Sequence, residues 1–591
     1  MCGLAGIALK AGYSITDQQK ELLRAALAHR GPDGSGEWIG QHAVFIHTRL
    51  SIIDLDGGKQ PLSYQDKQYL VANGEIYNDL ELRQSFSNYP FQTGSDCESI
   101  LPLWQEFQEK FPEKLRGMYG VALVDVDEHT VILSRDPFGI KPLYYACVEQ
   151  GIVFASEAQA LIQAEFVQPR LRQEGINSLL QLQFIPGKET IFQNIHRLLP
   201  GETLIIKDGS IVEKKRIEVF KERTQTLFNS EIALSKLDRI LEETVRIHER
   251  SDVPFGLFLS SGIDSSIILK MMQILGQEKR VRAWTARFET DDRHDYVADE
   301  TDQASYLAKQ VGAEHHIFSI TQQQVWEHLP QIVACMDDPV ADYAIIPTWF
   351  LAREASQSVK VILSGEGGDE LFAGYGRYRK ASQPWWRGGK KIYRKGVFHQ
   401  TDYLQSSLSS WRDEITAYEN TYDFSSMTRL TKAQKIDIET WLPNDLLIKL
   451  DRCLMTHGIE GRVPFLDKKV AEFAFSLSDS LKVQNWQGKW ILRKWLEKYF
   501  PESKPFAPKL GFSVPIGLWI EQQAPTLAPL VSQQDGIKGV AFSDKILPLF
   551  EKASGRKERY MAWNLLFYAL WHQIHIVGQS PTGSVTDILA V

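Results

Sequence analysis

The sequence predicts a strand-rich α+β domain followed by an α/β domain with many helices, and three observations carry that prediction. Up to about residue 205 the chain runs in short β-type segments divided by turn formers. Beyond that point the apolar spacing becomes helical. Twice in the second half an apolar run ends in a small-residue loop that opens a helix, the mark of an α/β sheet. At 591 residues the chain has room for two or three domains with sizeable cores.

Composition narrows the function classes. Hydrophobic residues make up 43% and charged residues 24%, as in soluble globular chains. With 66 Lys+Arg against 74 Asp+Glu, the net charge of −8 argues against nucleic acid as a partner. The dense basic patch "RGGKKIYRK", Arg387 to Lys395, reads as a solvated loop. The cysteines Cys2, Cys97, Cys147, Cys335 and Cys453 have no spacing of a disulfide framework or zinc site. No basic stretch leads into an apolar run at the start. No apolar segment approaches the ~18 residues of a membrane span. The expectation is a reduced, cytoplasmic, soluble protein with small-molecule partners.

In the first half "AVFIHTRLSIID", "QYLVANGEIY", "YGVALVDVD", "TVILSRD" and "GIVFAS" read as strands. "TDQQKELLRAALAHR" reads as a helix with Leu22, Leu23, Ala26 and Leu27 on one face, and "RGPDGSG", Arg30 to Gly36, as a loop. The chain opens "MCGLAGI". If Met1 is removed, Cys2 carries a thiol and a free α-amine of pKa ~8, a nucleophile with its own base. Gly3 leaves room for a substrate to approach. On its own a second-position cysteine is equally an accident. "TRLSIID" adds Arg49, a cation for a substrate carboxylate. "NGEIYN" adds the Asn73 amide and the Gly74 N–H, two donors suited to an oxyanion, although Asn-Gly alone is a turn signal. "TGSDCES" adds Asp96, able to hold an ammonium.

Together with "HRGPDGSG" and "RDPFGIKPLYY", these segments resemble the class II glutamine amidotransferase domain, an N-terminal-nucleophile hydrolase fold of two layered antiparallel sheets. The resemblance covers nearly all of residues 1 to 205. It implies that Cys2 attacks the side-chain amide of glutamine and releases ammonia. It also implies that Asn73 and Gly74 form the oxyanion hole, and that Arg49, Ile52, Ile53, Asn73, Gly74, Glu75 and Asp96 line the glutamine site.

In the second half, "NSEIALSKLDRILEETVRIHE" reads as a capped helix. "VPFGLFLSSGIDSSIILKMM" reads as a strand, Phe255 to Leu259, a loop, Ser260 to Asp264, and a helix opening at Ser265. Free N–H groups and the positive helix end make such a unit an anion site, though an ordinary tight turn has the same outline. It lacks the G-x-x-x-x-G-K pattern of a Walker A loop. "VKVILSGEGGDELFAGYGRY" repeats the design: a buried strand, Val359 to Leu363, then Ser364, Gly365 and the acidic Glu366, Asp369 and Glu370. Acidic oxygens at a strand end suit Mg²⁺, with a solvated acidic turn as the bland alternative. Lys489 in "QGKWILRKW" would by itself be a solvated lysine.

"LSSGIDSS" resembles the S-x-G-x-D-S pyrophosphate loop of the adenine-nucleotide α-hydrolases. With "GIEGRVPFLDKKV" and "KLGFSVPIGLWI", the whole chain resembles a longer bacterial branch of the glutamine-hydrolysing asparagine synthetase family. That resemblance implies a glutaminase domain over 1–205, a linker over 206–232, a synthetase domain over 233–575 and a tail over 576–591. It implies attachment of AMP to a carboxylate and its displacement by ammonia. ATP with Mg²⁺ is the substrate complex, without a prosthetic group, and a homodimer is compatible with it. By the same resemblance Ser260, Gly262, Asp264 and Ser265 cradle pyrophosphate, Phe258, Leu259, Ser260, Ala286, Ser364 and Gly365 contact ATP, and Asp264 and Asp369 hold Mg²⁺. Glu366 serves acyl-adenylate formation and Lys489 balances charge in the transition state.

The chain departs from the family twice. Ser261 stands where the loop usually has Gly, at a cost of ~1 kcal/mol if its φ is positive. "PVADYAIIP" brings Asp342 and Tyr343 where the family's aspartate pocket has an arginine. The acceptor thus stays open between aspartate and another carboxylate, such as a cell-wall peptide, a sugar acid or a secondary-metabolite precursor. A non-catalytic scaffold would have no need of Cys2, Asp264, Glu366, Asp369 and Lys489. The stretch Gly376 to Asp423, with Trp385, Trp386 and the Lys390–Lys391 pair, is either a contact for a larger acceptor or an aromatic surface patch. Because ammonia must stay unprotonated between two sites, apolar residues are expected along the domain interface.

Overall fold

The computed structural model describes residues 2–590 except 219–225, 277–279, 290–299, 384–385, 387–388, 390, 406–408, 422–426 and 509–513. The strands of the first domain are β1 (Gly3–Leu9), β2 (Gly34–Ile39), β3 (Ala43–Arg49), β4 (Leu62–Tyr64), β5 (Gln68–Ile76), β6 (Gly117–Asp125), β7 (Thr130–Arg135), β8 (Tyr144–Val148), β9 (Gly151–Ala155), β10 (His196–Arg197), β11 (Glu202–Lys207) and β12 (Ser210–Arg216). They form two six-stranded sheets ordered β10-β8-β9-β1-β3-β2 and β12-β11-β7-β6-β5-β4. The expected antiparallel pairing holds, as in Leu4 opposite His47 and Asn73 opposite Gly120. Leu4, Phe45 and Phe154 of one sheet meet Val71, Ala122 and Leu133 of the other in a shared core. The outer faces are covered by helices: Ile100–Phe107 with Trp104 on the second sheet, Asp17–Ala26 and Ala158–Gln163 on the first.

The second domain holds β13 (Phe255–Phe258), β14 (Arg282–Phe288), β15 (Glu314–Ile320), β16 (Val361–Leu363) and β17 (Glu460–Arg462), parallel in the order β15-β14-β13-β16-β17. Buried β13 and β16 read as unbroken apolar runs because both faces are covered. Helices Ser230–His248, Ile263–Leu275 and Trp490–Tyr499 pack on one another, and Ile345–Ala355 packs against β14, β15 and the helix Leu447–Met455. The chain order turns outward on both sides of β13, so the loops after β13 and β16 diverge at a switch point, where parallel sheets bind ligands.

Several expectations shift by local chemistry. "RGPDGSG" is a loop only in part, because Gly34–Gly36 begin β2 beside β3. The second-half helix opens at Ile263, behind Gly262, and not at Ser265. Residues 206–232, expected to join the domains, include β12 and the start of the helix Ser230–His248. Among the described residues no helix is long and apolar enough to cross a membrane.

The domain interface is not purely apolar. Ile52, Met118 and Ile140 share one cluster with Leu450, Leu454 and Phe465, as expected. Buried ion pairs join the domains beside them: Arg30 with Asp451 at 2.8 Å, Arg197 with Asp338 at 2.6 Å, and Arg116 with Asp467 at 2.8 Å. Arginine's fork satisfies both carboxylate oxygens at once, which compensates the desolvation of such pairs. Part of the 376–423 stretch also docks on the first domain, where Phe398 and Val397 donate to the side chain and carbonyl of Gln181, each at 2.9 Å. Trp386 is exposed, while Trp385 and Lys390 lie outside the described residues.

Candidate active sites

Cys2 is buried at the entry to β1, its main-chain N–H donating to Asn73 Oδ1 at 3.0 Å and its thiol facing the Leu50 carbonyl at 3.9 Å. Burial pushes the thiol pKa up. The Asn73 Nδ2 is buried without a partner, a donor held ready beside the thiol. Gly74 has a steric reason: a Cβ there would lie 2.1 Å from the Met118 carbonyl oxygen across the β5–β6 pair. Arg49 is held at the rim by the carbonyls of Asp54 at 2.5 Å and Leu55 at 2.9 Å. Ile52 is buried and Ile53 half-buried in the same loop. Asp96 accepts from the Ile76 N–H at 2.6 Å, and burial lifts its pKa to about 6.

Glu75 differs from the expectation of a simple pocket wall. Its Oε2 lies 3.0 Å from Arg462 of the second domain, and its buried Oε1 has no partner. Burial raises its pKa against the pull of Arg462. Arg462 also binds Glu460 Oε1 at 2.6 Å. Burial opposes the charge on Glu460, but cations including Arg462 and Lys141 hold its pKa at about 2. The thiol site is thus closed on one side by β17.

The second site lies at the C-terminal ends of β13 and β16. Ser260 Oγ and Ser265 Oγ are 3.0 Å apart, and the Gly262 N–H donates to Ser260 Oγ at 3.0 Å. Ser261 is absent from the described residues with positive φ, so the serine carries no left-handed strain. Leu259 donates to the Trp284 carbonyl at 2.9 Å, which ties the loop to β14, where Ala286 is buried two residues on, and Phe258 is half-buried. Ser364 donates to the Arg462 carbonyl at 2.8 Å. Gly365 and Gly368 pack on Asp264, where a Cβ would lie 2.8 and 2.3 Å from its side chain.

Lys489 is not a solvated lysine. It is 4% exposed, has φ 57°, and its Nζ pairs with Asp264 and, at 2.7 Å, with Asp369. Despite burial, these two carboxylates push its pKa up, so it stays charged. Two hard oxygen ligands on adjacent strand ends fit Mg²⁺. Half-buried Glu366 has its pKa raised by burial, with Lys449 pulling the other way.

Lys449 was not singled out from the sequence. It is buried on the helix Leu447–Met455, 2.6 Å from Asp342 Oδ2, and Asp342 with the other nearby carboxylates keeps it charged. Tyr343 meets Tyr560, hydroxyl to hydroxyl, at 3.3 Å. Asp445, on the same side, has its pKa lifted by burial and Asp342 to about 8. The nearest signal in the sequence is the stretch "DLLIKLDR" with its charges in an apolar run; the partners lie about a hundred residues away.

Fold and sites define a two-domain chain in which an antiparallel sandwich with a buried cysteine at its first strand is joined to a parallel sheet flanked by helices. Residues 1–217 match the family described as glutamine amidotransferase domain, and residues 236–573 match the family described as asparagine synthase. The chain belongs to the asparagine synthase family, a family of ligases. It is 34% identical to asparagine synthetase [glutamine-hydrolyzing] 1 of Bacillus subtilis over 98% of this chain and 97% of the relative. It is 28% identical to asparagine synthetase B [glutamine-hydrolyzing] of Escherichia coli, covering 90% and 86%, and 28% identical to asparagine synthetase [glutamine-hydrolyzing] 2 of rice, covering 86% and 75%.

Proposed function

We propose that the chain amidates a carboxylate with ammonia drawn from glutamine, at the expense of ATP. The observation that carries this reading is the buried Lys489 ammonium set between Asp264 and Asp369, beside the loops after β13 and β16. In the first domain, with Met1 removed, the Cys2 α-amine takes the thiol proton as the sulfur adds to the glutamine side-chain carbon, and returns it to the leaving nitrogen. The oxyanion falls to the Asn73 amide and the Gly74 N–H, and ammonia leaves as the thioester forms; water then releases glutamate. In the second domain the acceptor carboxylate oxygen attacks the α-phosphorus of ATP. The anionic pyrophosphate leaves into the loop of Ser260, Gly262, Asp264 and Ser265, against Lys489. Phe258, Leu259, Ala286, Ser364 and Gly365 line the nucleotide side. Asp264 and Asp369 would hold Mg²⁺, which neutralises phosphate charge when bound. Ammonia then attacks the acyl carbon and AMP leaves, with Glu366 positioned beside the adenylate.

Aspartate is the acceptor this reading favours. An amino acid needs a cation for its α-carboxylate and an anion for its α-ammonium, and Lys449 with Asp342 offers both. A different carboxylate is the second reading, favoured by Tyr343 at the arginine position. The test supplies glutamine, ATP and Mg²⁺ with aspartate or with larger carboxylates and measures pyrophosphate. Asparagine formation at sub-millimolar aspartate supports the first reading. Pyrophosphate release only with a larger acid supports the second, and none with any carboxylate overturns both. Lys449→Gln should raise the KM for the acceptor at least tenfold and leave that for ATP within about twofold.

A further inference from the structure

We propose that the first domain carries a site for a divalent transition metal, with Zn²⁺ the best fit, at the end of the sandwich remote from Cys2. The ligands are His42, His129 and Asp208, whose donor atoms all lie within 4.8 Å of one another. They come from three separate turns. His42 sits between β2 and β3, His129 between β6 and β7, and Asp208 between β11 and β12. The first turn belongs to one sheet and the other two to its partner, so a shared ion would cross-link the two layers.

Imidazole and carboxylate together suit Zn²⁺ among the common divalent ions, and oxygen-seeking Mg²⁺ would not select histidine. Bonds of about 2.0–2.2 Å put the donors of a tetrahedral ion about 3.4 Å apart. The present spread closes by side-chain rotation, which His129 and Asp208 have room to make because both are exposed, while His42 is half-buried. The two rings now stack face to face, with centroids 3.9 Å apart, so their in-plane lone pairs run side by side and the exposed His129 ring must turn to share an ion with His42. Three protein ligands leave a fourth position to water. The site is distinct from the thiol site: Leu9, whose N–H donates to the His42 carbonyl at 2.8 Å, lies at the far end of β1 from Cys2. That strand length amounts to about 20 Å.

The experiment uses full-length protein freed of metal by a chelator, titrated with Zn²⁺ and followed by equilibrium dialysis and thermal unfolding. Cys2 and the acidic loops also attract zinc, so the reading is the difference between wild type and His42→Ala/His129→Ala. The expected result is the loss of one Zn²⁺ per chain in the variant and a zinc-dependent rise in Tm confined to wild type, since an ion that binds only the folded state stabilises it. Asp208→Asn keeps the left-handed turn that asparagine tolerates and should weaken binding at least tenfold, which covers the case of a double variant that fails to fold. Equal zinc content in wild type and variants, or saturation at millimolar zinc only, would overturn the proposal.

Discussion

The Arg462 guanidinium lies 3.0 Å from the Glu75 carboxylate, and through that pair the two domains share a residue. The Arg462 side chain reaches the thiol site, while its carbonyl accepts from the N–H of Ser364, the first residue of the loop after β16. One residue of the short strand β17 thus touches both candidate sites. Arg462→Lys keeps the charge but loses the fork. It should raise the KM for glutamine severalfold and leave ammonia-dependent amidation within about twofold. Equal losses with both nitrogen donors would show that Arg462 acts only through stability.

Cys2→Ala should abolish glutamine-dependent amidation and leave ammonia-dependent amidation intact. The Asn73 carbonyl holds the main chain of residue 2, and the thiol itself has only the long contact to the Leu50 carbonyl, so the fold depends little on the sulfur. Parallel assays of glutamate release and amide formation decide the matter. A folded variant inactive with ammonia as well would contradict the division of labour.

Lys489→Ala leaves Asp264 and Asp369 facing each other without their cation. Pyrophosphate release should fall by about 10² or more, in line with the ~3 kcal/mol that a donor to developing charge contributes. Basal glutamine hydrolysis should persist. Asp264→Ala should give the same pattern, and wild-type pyrophosphate release in either variant would remove the residue from the chemistry.

Glu370 supplies a pH signature. Burial, then Asp369 and Glu366, lift its pKa from 4.5 to about 8 in the folded chain. Between those values the native state holds a proton that the unfolded chain has lost. The associated stability is complete below about pH 4.5 and is lost as pH rises through about 8. Glu370→Gln can still accept from the Tyr375 hydroxyl and removes this dependence. Denaturant unfolding should show the variant gaining on wild type by up to about 1.4 kcal/mol per pH unit across that window. Parallel profiles for the two proteins would refute the assignment.

What the sequence disclosed follows from what is local. Strands such as Gln68–Ile76 and Thr130–Arg135 are legible because β-branched and apolar runs end at turn formers. The loop after β13 is legible because serine and glycine follow an apolar strand within one short segment. β2 was hidden because its glycines also spell a turn, and only its pairing with β3 makes them extended. Lys489 and Lys449 look alike as single letters; their meaning comes from carboxylates 225 and 107 residues away. The charged side of the domain interface was unreadable for the same reason. Each half of Arg30–Asp451 is an ordinary surface residue until the fold removes water from both.

Among the described residues the parallel sheet ends at β17, with no strand paired beyond it. The first domain fills the gap with side chains: Lys141 donates to the Gly461 carbonyl at 3.3 Å, and Glu75 holds Arg462 beside it. The amidotransferase half therefore acts as a built-in guard against sheet extension. Separated from it, the second half would present an open row of hydrogen-bonding groups to its own copies, the arrangement from which proteins polymerise. The fusion of the two halves thus covers an edge that the second half alone would leave bare.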